Sequence, residues 1–303
     1  MNKEIQLSVH LGAHKTATTH LQRSIDEYEK ATGGAGVKCY GPQYLRADSR
    51  PIQNLFGLKP WCGDFKPKRT PEKQLQFLAQ GCQRVFISDE NFLGSLHHGD
   101  GHLVLPLYPD ASDRLIALAK ALPGVRIRLF LAIRCPDTFI ESAYSQTLLS
   151  GHFLSPADFK AKHQVHCVDW VPLVRGLANL PGIESLMVWQ YEDYPKIFSY
   201  LVRRMLRWKL GTVIKPLKGN LHAGLSEEAV QRIFEWRDLG YEGPLANLAR
   251  EDFPINETRS RFTIFDSEEK KQAKAVYCDQ IKQISGIERC ELVSMDELPN
   301  DLK

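Results

Sequence analysis

Residues 7–20 read LSVHLGAHKTATTH, and they pass from a strand-like apolar run through a short loop into a helix. The loop holds Gly12, Lys15 and several hydroxyl side chains. A strand, such a loop and a helix together aim backbone N–H groups and the positive end of the helix dipole at a phosphate. The stretch therefore predicts an α/β protein with a phosphate-binding loop after its first strand.

Short apolar runs alternate with amphipathic segments along most of the chain, which is typical of an α/β protein with a parallel sheet. Residues 129–133 (LFLAI) are apolar at every position, as expected of a central strand that helices cover on both faces. We therefore expect a three-layer sandwich around a central parallel sheet of about five strands. The strands are predicted at residues 5–11, 37–40, 84–88, 126–133 and 184–190.

Helices are predicted between the strands and toward the end of the chain. Apolar residues at helical spacing cover residues 21–28 and 115–122, which indicates two crossover helices. Beyond about residue 215 the pattern is helical, with N-cap residues at Ser226 and Asp266. The sequence thus predicts one domain over residues 1–303, with an α/β core at 1–215 and a helical C-terminal portion at 216–303 packed on it.

Composition places the chain among ordinary globular proteins, because 43% of its 303 residues are hydrophobic and 25% are charged. Its 39 Lys and Arg against 36 Asp and Glu give a formal charge of +3, which is too small to indicate a nucleic-acid partner. No apolar run approaches the ~18 residues of a membrane span, and residues 1–5 do not resemble a secretory leader, so we expect a cytoplasmic protein. The seven cysteines are scattered without a C-x-x-C pair, which argues against a disulfide framework and a zinc site.

The spacing of the loop separates it from the loop of nucleotide triphosphatases. Those proteins need G-x-x-x-x-G-K-[ST]. Here Gly12 lies three residues before Lys15, and His14 stands where the second glycine belongs. The plain structural alternative is a helix that Thr18 and Thr19 merely cap, with a solvated Lys15.

A second motif, RCPDTFIESAY at residues 134–144, follows the central strand. Pro136 suits the first position of a helix, which puts Arg134 at the carboxyl end of the strand and Ser142 two turns along the helix. Arg134 offers a planar fork of donors to a phosphate dianion, and Ser142 offers one hydroxyl. Ligands of α/β sheets bind in the crevice beyond those strand ends. The alternative is an Arg134–Asp137 ion pair and a solvated serine.

In this order, the two motifs resemble those of the sulfotransferases that use 3′-phosphoadenylyl sulfate (PAPS), and in particular the bacterial members with a P-loop fold. Their 5′-phosphosulfate loop reads G-x-x-K-T-G-T-T, and their 3′-phosphate motif reads R-x-P with a serine eight residues after the arginine. The resemblance covers roughly residues 5–240. The matching positions are Gly12, Lys15, Thr16, Thr18, Thr19, Leu21, Gln22, Arg134, Pro136 and Ser142, while Ala17 replaces the usual glycine.

The resemblance implies that PAPS is the co-substrate, that adenosine 3′,5′-bisphosphate (PAP) is the product and that no metal is needed. Two weaker similarities extend the nucleotide site. They are residues 191–193 (YED), where Tyr191 would lie near adenine, and residues 218–220 (KGN), which would close over the 3′-phosphate. The implied nucleotide-binding residues are Gly12, Ala13, His14, Lys15, Thr16, Ala17, Thr18, Thr19, Arg134, Ser142, Tyr191, Lys218 and Gly219.

Lys15 and Glu90 are the implied catalytic residues. Bacterial members of this family often carry Ser-x-Glu at the end of the third strand, and here residues 88–90 read SDE. Glu90 is therefore the candidate base for the acceptor, and we expect phosphates in the cleft to raise its pKa. His97 and His98 lie in a glycine-rich loop that has no evident means of holding a catalytic geometry. A helix-capping or salt-bridged surface role is the alternative for Glu90.

The expected function is transfer of a sulfuryl group from PAPS to a hydroxyl or amine of a small-molecule or glycan acceptor, which no sequence pattern identifies. A P-loop kinase for a small molecule is one alternative, although it would need an acid to hold Mg²⁺. A nucleotide-binding module without catalysis is another, and it is distinguished by whether Lys15 and Glu90 line one cleft. Neither a nucleic acid nor a membrane span is expected.

Overall fold

A single parallel sheet forms the centre of the protein in the computed structural model, which describes residues 5–47, 50–219, 224–295 and 298. The strands of this described part are β1 (Gln6–His10), β2 (Val37–Tyr40), β3 (Arg84–Ser88), β4 (Arg126–Ile133), β5 (Ile183–Gln190) and β6 (Cys290–Val293). They pair in the order β2-β3-β1-β4-β5-β6, and every pairing is parallel. The α/β class expected from the sequence is confirmed.

The sixth strand corrects the expectation of about five strands and of a wholly helical C-terminal portion. β6 pairs with β5 at the edge of the sheet, with Leu186 opposite Cys290 and Trp189 opposite Val293. Of its four residues only Val293 is buried. Four residues that include a charged Glu291 make no apolar run, so the pattern of a buried strand is missing from the sequence.

Helices connect the strands and cover both faces of the sheet. The helix expected at residues 21–28 is divided in two, because α1 ends at Asp26 and α2 begins at Glu29. None of the described helices is long and apolar enough to span a bilayer. The described helices are α1 (Thr18–Asp26), α2 (Glu29–Gly34), α3 (Pro42–Arg46), α4 (Ile52–Leu55), α5 (Pro71–Ala79), α6 (Ala111–Ala121), α7 (Pro136–Leu149), α8 (Pro156–Lys162), α9 (Val171–Ala178), α10 (Tyr194–Met205), α11 (Leu210–Val213), α12 (Glu227–Asp238), α13 (Leu245–Asp252) and α14 (Ser267–Ser285).

The two faces of β4 show how the three layers are held together. Leu129, Leu131 and Ile133 are buried in the core on one face, and Phe130 and Ala132 are buried in the core on the other. Successive side chains of a strand point to opposite faces, so a strand that is apolar at every position needs helices on both sides. The three-layer sandwich expected from this run is confirmed.

The C-terminal helices pack on the same core as the sheet. Ser226 caps α12 through its hydroxyl, and Asp266 with Glu269 forms a capping box at the start of α14, as the sequence predicts. Gln280 of α14 accepts a hydrogen bond at 3.2 Å from the backbone N–H of Trp170, which precedes α9. The buried residues of α12 and α14 belong to the apolar cluster that also holds one face of the sheet.

The strand order brings the loops that carry the predicted site together. β1 lies between β3 and β4, and the chain leaves β1 toward β2 on one side before it reaches β4 on the other. A crevice forms beyond the carboxyl ends of strands where connections diverge in this way. The loops at that crevice carry Lys15 after β1, Glu90 after β3 and Arg134 after β4.

Candidate functional site

A cavity of about 740 Å³ opens beyond the carboxyl ends of β1, β3, β4 and β5. The predicted residues that line it are His14, Lys15, Ala17, Thr18, Thr19, Glu90, Arg134, Ser142, Tyr191 and Gly219. Gly12, Ala13 and Thr16 are buried and do not line it, and Lys218 is exposed and does not line it either. Asn220, the last residue of the KGN motif, lies outside the described residues. The structure thus brings Lys15 and Glu90 into one cleft.

The backbone of the loop between β1 and α1 turns through left-handed conformations. Gly12, Lys15 and Ala17 have φ values of 37°, 66° and 62°. A side chain on Gly12 would not fit, because its Cβ would lie 2.6 Å from Oγ1 of Thr18. Ala17 occupies the N-cap of α1 in a conformation that costs an alanine about 1–2 kcal/mol but is freely adopted by glycine. Strained residues of this kind cluster at functional sites.

The N-terminus of α1 is open to the cavity, because no side chain caps it. Thr16 and Thr18 turn their hydroxyls toward the carbonyl of Ala13, at 2.6 and 3.5 Å. Thr19 lines the cavity, and its hydroxyl has no hydrogen-bond partner among the described residues. The first backbone N–H groups of a helix have no partner within it, so they remain available to an anion. The alternative that these threonines only cap the helix is wrong.

Lys15 extends from the loop toward α7. Its Nζ donates a hydrogen bond to Oε1 of Gln146 at 3.4 Å. Burial, followed by the positive charges of Arg134 and Arg250, lowers the pKa of Lys15 to about 8. At neutral pH its ammonium is still charged, and an anion bound beside it would relieve the repulsion from the two arginines.

Arg134 joins the second motif to the loop. Its Nη1 donates to the carbonyl of Lys15 at 2.7 Å, and its Nε donates to Oγ1 of Thr138 at 3.0 Å. The guanidinium carbon also lies 4.4 Å from the centroid of the Tyr191 ring. Arg134 forms no ion pair with Asp137, which was the alternative role for this arginine. Its Nη2 donates to none of the described residues, so the N–H groups of this nitrogen are available to a ligand.

Ser142 lies on α7 two turns after Arg134, as the sequence predicts. Pro136 opens α7 at its first position, which confirms the geometry expected of the motif. The hydroxyl of Ser142 borders the cavity and has no partner in the described part of the chain. Arg134 and Ser142 therefore leave two donors on one side of the cavity.

An aromatic and apolar wall closes the cavity beside β5. Its residues are Tyr191, Tyr194, Pro195, Phe198, Pro216 and Leu217. His20 fastens the wall, because its ring contacts the Tyr194 hydroxyl at 2.8 Å and the Leu217 carbonyl at 3.0 Å. A carbonyl only accepts, so Nε2 of His20 carries the proton and the tyrosine donates to Nδ1. The sequence predicts only Tyr191 here, because the residues of the wall come from segments that are far apart in the chain.

Glu90 begins a short 3₁₀ helix after β3 and faces the cavity. Its carboxylate accepts from Nη2 of Arg46 at 2.6 Å and from Nε2 of Gln22 at 3.2 Å. Burial alone would raise its pKa, but its own backbone N–H, Arg46, His14 and Gln22 together lower it. The pKa of Glu90 is therefore low in the protein itself, and the rise that phosphates in the cleft would cause stays a prediction. Burial and the adjacent Glu90 raise instead the pKa of Asp89, to about 6, and Asp89 does not line the cavity.

His14 is held in one tautomer at the edge of the cavity. The Tyr108 hydroxyl accepts from the His14 backbone N–H at 3.0 Å and donates to its Nδ1 at 3.0 Å. Nε2 therefore carries the proton, and it donates to Oδ1 of Asn91 at 3.1 Å. Burial lowers the pKa of His14, so its ring is neutral at pH 7. With both ring nitrogens occupied, His14 supports the loop and is not a free base.

His97 and His98 do not line the cavity. Nε2 of His97 contacts the backbone carbonyl of Ala143 at 3.2 Å, and burial lowers the pKa of His97 to about 4. His98 is exposed. His97 lies close enough to the site for the charges of His14 and Lys15 to lower its pKa further, but neither histidine reaches the cavity itself.

Three arginines that the sequence analysis missed line the cavity, and they are Arg46, Arg250 and Arg261. Arg46 lies on α3 and pairs with Glu90. Arg250 and Arg261 belong to the C-terminal portion, which carries no motif for a ligand. Nothing local in the sequence marks these residues, because only the fold brings them to the cavity.

No protein-family model matches the chain, and no curated protein sequence matches it. Within the described ranges, no group of three or more His, Cys, Asp or Glu side chains is arranged to hold a metal ion.

Proposed function

We propose that the protein is a sulfotransferase that moves a sulfuryl group from PAPS to a hydroxyl or amine of a small-molecule or glycan acceptor. The observation that carries the proposal is that Lys15, Arg134, Ser142 and Glu90, which come from three separate stretches of sequence, line one cavity. A cavity with cationic and hydroxyl donors beside an aromatic wall fits a nucleotide that carries two anionic groups.

The donor occupies two parts of the cavity in this proposal. The free backbone N–H groups of α1, with the hydroxyls of Thr18 and Thr19, bind the 5′-phosphate. Nη2 of Arg134 and the hydroxyl of Ser142 bind the 3′-phosphate. The wall that contains Tyr191 receives the adenine ring. Lysine and arginine supply the countercharge, so the proposal requires no divalent metal.

The reaction is a displacement at sulfur. The acceptor oxygen or nitrogen forms a bond to sulfur as the bond between sulfur and the bridging oxygen breaks, and the electron pair of that bond leaves with PAP. Lys15 stabilises the negative charge that develops on the bridging oxygen. The proton of the acceptor passes to the carboxylate of Glu90, which is ionised at neutral pH because its pKa is low.

The two alternatives have less support. A P-loop kinase needs an acidic side chain that holds Mg²⁺. The carboxylates in the described lining of the cavity are Glu90 and Glu192, and each already accepts a hydrogen bond from another residue of the protein. Glu90 pairs with Arg46, and Glu192 accepts from the backbone N–H of Cys135 at 2.9 Å. A nucleotide-binding module without catalysis has no need of Lys15 and Glu90 in one cavity.

A screen of hydroxyl and amine acceptors with radiolabelled PAPS tests the proposal. Label is expected in at least one acceptor with EDTA present, and the Lys15→Met variant is expected to lose this transfer. Arg232→Gln is the matched control, because Arg232 pairs with Glu235 on the surface of α12 and lies outside the cavity. Transfer of phosphate from ATP in place of sulfuryl transfer from PAPS would contradict the proposal.

A further inference from the structure

Two arginines of the C-terminal portion have no part in the donor site described so far. Arg250 lies on α13, Arg261 lies between α13 and α14, and both line the cavity. Neither forms an ion pair with a residue that the structure describes. A guanidinium that borders a cavity without a carboxylate partner offers its fork of donors to an anionic ligand.

The guanidinium of Arg261 lies beside α7. An antiparallel bridge between Ser226 and Arg261 fixes its backbone. The position that a Cβ on Gly224 would take lies 3.6 Å from Nη1 of Arg261 and 3.6 Å from Oγ of Ser145. Ser145 is one helical turn beyond Ser142, so Arg261 reaches the part of α7 that borders the predicted 3′-phosphate group.

Arg261 also lies near Arg134. Burial is the main cause of the lowered pKa of Arg134, and the positive charge of Arg261 contributes to it. Two guanidinium groups repel each other when they border the same cavity, and an anion between them removes that repulsion. Arg134 and Arg261 therefore mark one anion subsite, to which Ser142 adds a hydroxyl.

Arg250 stands in the same relation to Lys15. Its Nη2 donates to Oδ1 of Asn247 at 3.2 Å, which is a neutral partner on its own helix. The charge of Arg250 adds to burial and to Arg134 in lowering the pKa of Lys15. Both residues line the cavity, and α13, which carries Arg250, packs against α7, where Gln146 accepts the hydrogen bond from Lys15. Lys15 and Arg250 therefore mark a second group of like charges.

We propose that Arg261 and Arg250 are ligand-binding residues that the C-terminal portion contributes to two separate anion subsites. Arg261 shares the first subsite with Arg134 and Ser142, and Arg250 shares the second with Lys15. The ligand class is a nucleotide with anionic groups at both its 3′ and its 5′ ends. The names of these groups rest on the proposed function, by which the first subsite holds the 3′-phosphate and the second holds the 5′-phosphosulfate of PAPS, with Lys15 at the phosphate and Arg250 at the sulfuryl group.

Calorimetric titration with three nucleotides separates the two subsites. PAP carries both phosphates, 5′-AMP lacks the 3′-phosphate, and PAPS adds the sulfuryl group. Arg261→Gln is expected to weaken the binding of PAP about 10-fold or more and that of 5′-AMP by at most about 2-fold, because one charge-assisted phosphate contact is lost. Arg250→Gln is expected to weaken the binding of PAPS about 10-fold and the binding of PAP by at most about 2-fold.

Arg232→Gln serves again as the control, since it removes an arginine of the same portion outside the cavity, and its affinities are expected to equal those of the wild type. Thermal unfolding without nucleotide checks that Arg261→Gln and Arg250→Gln fold normally. Arg261→Lys keeps the charge without the fork, and it is expected to recover part of the affinity for PAP.

The outcomes distinguish this inference from the proposed function. One outcome is that the wild type binds all three nucleotides and Arg261→Gln weakens the binding of PAP and of 5′-AMP equally. In that case the assignment of Arg261 to the 3′-phosphate subsite is wrong and the proposed function stands. Equal losses of PAP and PAPS in Arg250→Gln overturn the subsite of Arg250 in the same way. A wild type that binds none of the three nucleotides contradicts the proposed function and both subsites.

Discussion

Nη1 of Arg134 donates a hydrogen bond to the backbone carbonyl of Lys15 at 2.7 Å. Lys15 lies in the strained loop after β1, with φ of 66°, and Arg134 follows β4, so this bond joins two motifs that are 119 residues apart. A hydrogen bond from a charged donor contributes about 1.5–3 kcal/mol. The loop therefore owes part of its stability to the same arginine that is proposed to bind the 3′-phosphate.

Arg134→Ala is expected to destabilise the unliganded protein and to weaken the binding of PAP more than the binding of 5′-AMP. The variant loses the bonds to Lys15 and Thr138, which lowers the free energy of unfolding by about 3 kcal/mol or more. It also removes a donor that only a 3′-phosphate would use. Denaturant unfolding and calorimetric titration measure the two effects.

Thr138→Val is the control for this prediction, because it removes the bond from Nε of Arg134 and keeps the guanidinium. It is expected to lower the free energy of unfolding by about 1.5 kcal/mol while leaving the ratio of the two affinities unchanged. Equal losses of PAP and 5′-AMP in Arg134→Ala would show that Arg134 only supports the loop.

Ala17→Gly is expected to increase the free energy of unfolding by up to about 1 kcal/mol. Ala17 has φ of 62°, which glycine adopts without steric cost, although the greater freedom of glycine in the unfolded chain offsets part of the gain. Ala17→Val is expected to destabilise, because a β-branched residue tolerates this φ less well. A glycine variant that is less stable than the wild type, measured by denaturant unfolding, would contradict the loop geometry.

The sequence predicts those parts of the molecule that depend on neighbouring residues. β2, β3 and β4 have the predicted ends, because apolar runs bounded by turns are local features. Lys15 and Arg134 are found for the same reason, since each belongs to a short motif that follows a strand. β6 is not predicted, because its four residues at the edge of the sheet do not form an apolar run.

The remaining features of the site depend on contacts between distant segments. Arg250 and Arg261 reach the cavity only because the C-terminal portion packs over α7. The pKa of Glu90 falls because its own backbone N–H and the side chains of Arg46, His14 and Gln22 together outweigh burial, and these three side chains come from other segments. The hydrogen bonds that hold His14 likewise come from Tyr108, which lies 94 residues further along the chain.

The affinity for PAP is expected to fall as pH rises through about 8. Burial and the charges of Arg134 and Arg250 put the pKa of Lys15 at about 8, so its ammonium is charged below that pH and neutral above it. A bound phosphate raises this pKa again, so binding near pH 8 takes up a proton. Titrations in buffers of different ionisation enthalpy measure this uptake.

Lys15→Met is the control, because the variant is expected to lose this pH dependence of the affinity. The same variant is expected to slow sulfuryl transfer by ~10² or more. The deprotonation of Lys15 affects the stability of the unliganded protein in the opposite direction from its effect on the affinity for PAP. Stability of the unliganded wild type rises between about pH 8 and the ordinary lysine value of 10.5, because there the unfolded chain keeps a proton that the folded protein has lost. An affinity that does not change through pH 8 would remove Lys15 from the phosphate site.

Glu90→Gln is expected to cut turnover by ~10²–10⁴ while leaving the affinity for PAP within a few-fold, because it removes basicity and keeps the shape of the side chain. Since the pKa of Glu90 is lowered, the rate in the wild type is expected to hold until the pH falls below the ordinary value of 4.5. Arg46→Gln is expected to move this limit to higher pH, because it removes the nearest positive charge. If Glu90→Gln stays active and His97→Gln or His98→Gln is inactive, the role of base passes to the loop that carries these histidines.

Calorimetric titration with PAP in the presence of EDTA is the most direct test of the nucleotide site. Binding is expected, with ATP at least about 10-fold weaker, because only PAP presents a 3′-phosphate to Arg134 and Ser142. The result that would contradict the proposed site is binding that disappears when EDTA is added, or a preference for ATP over PAP.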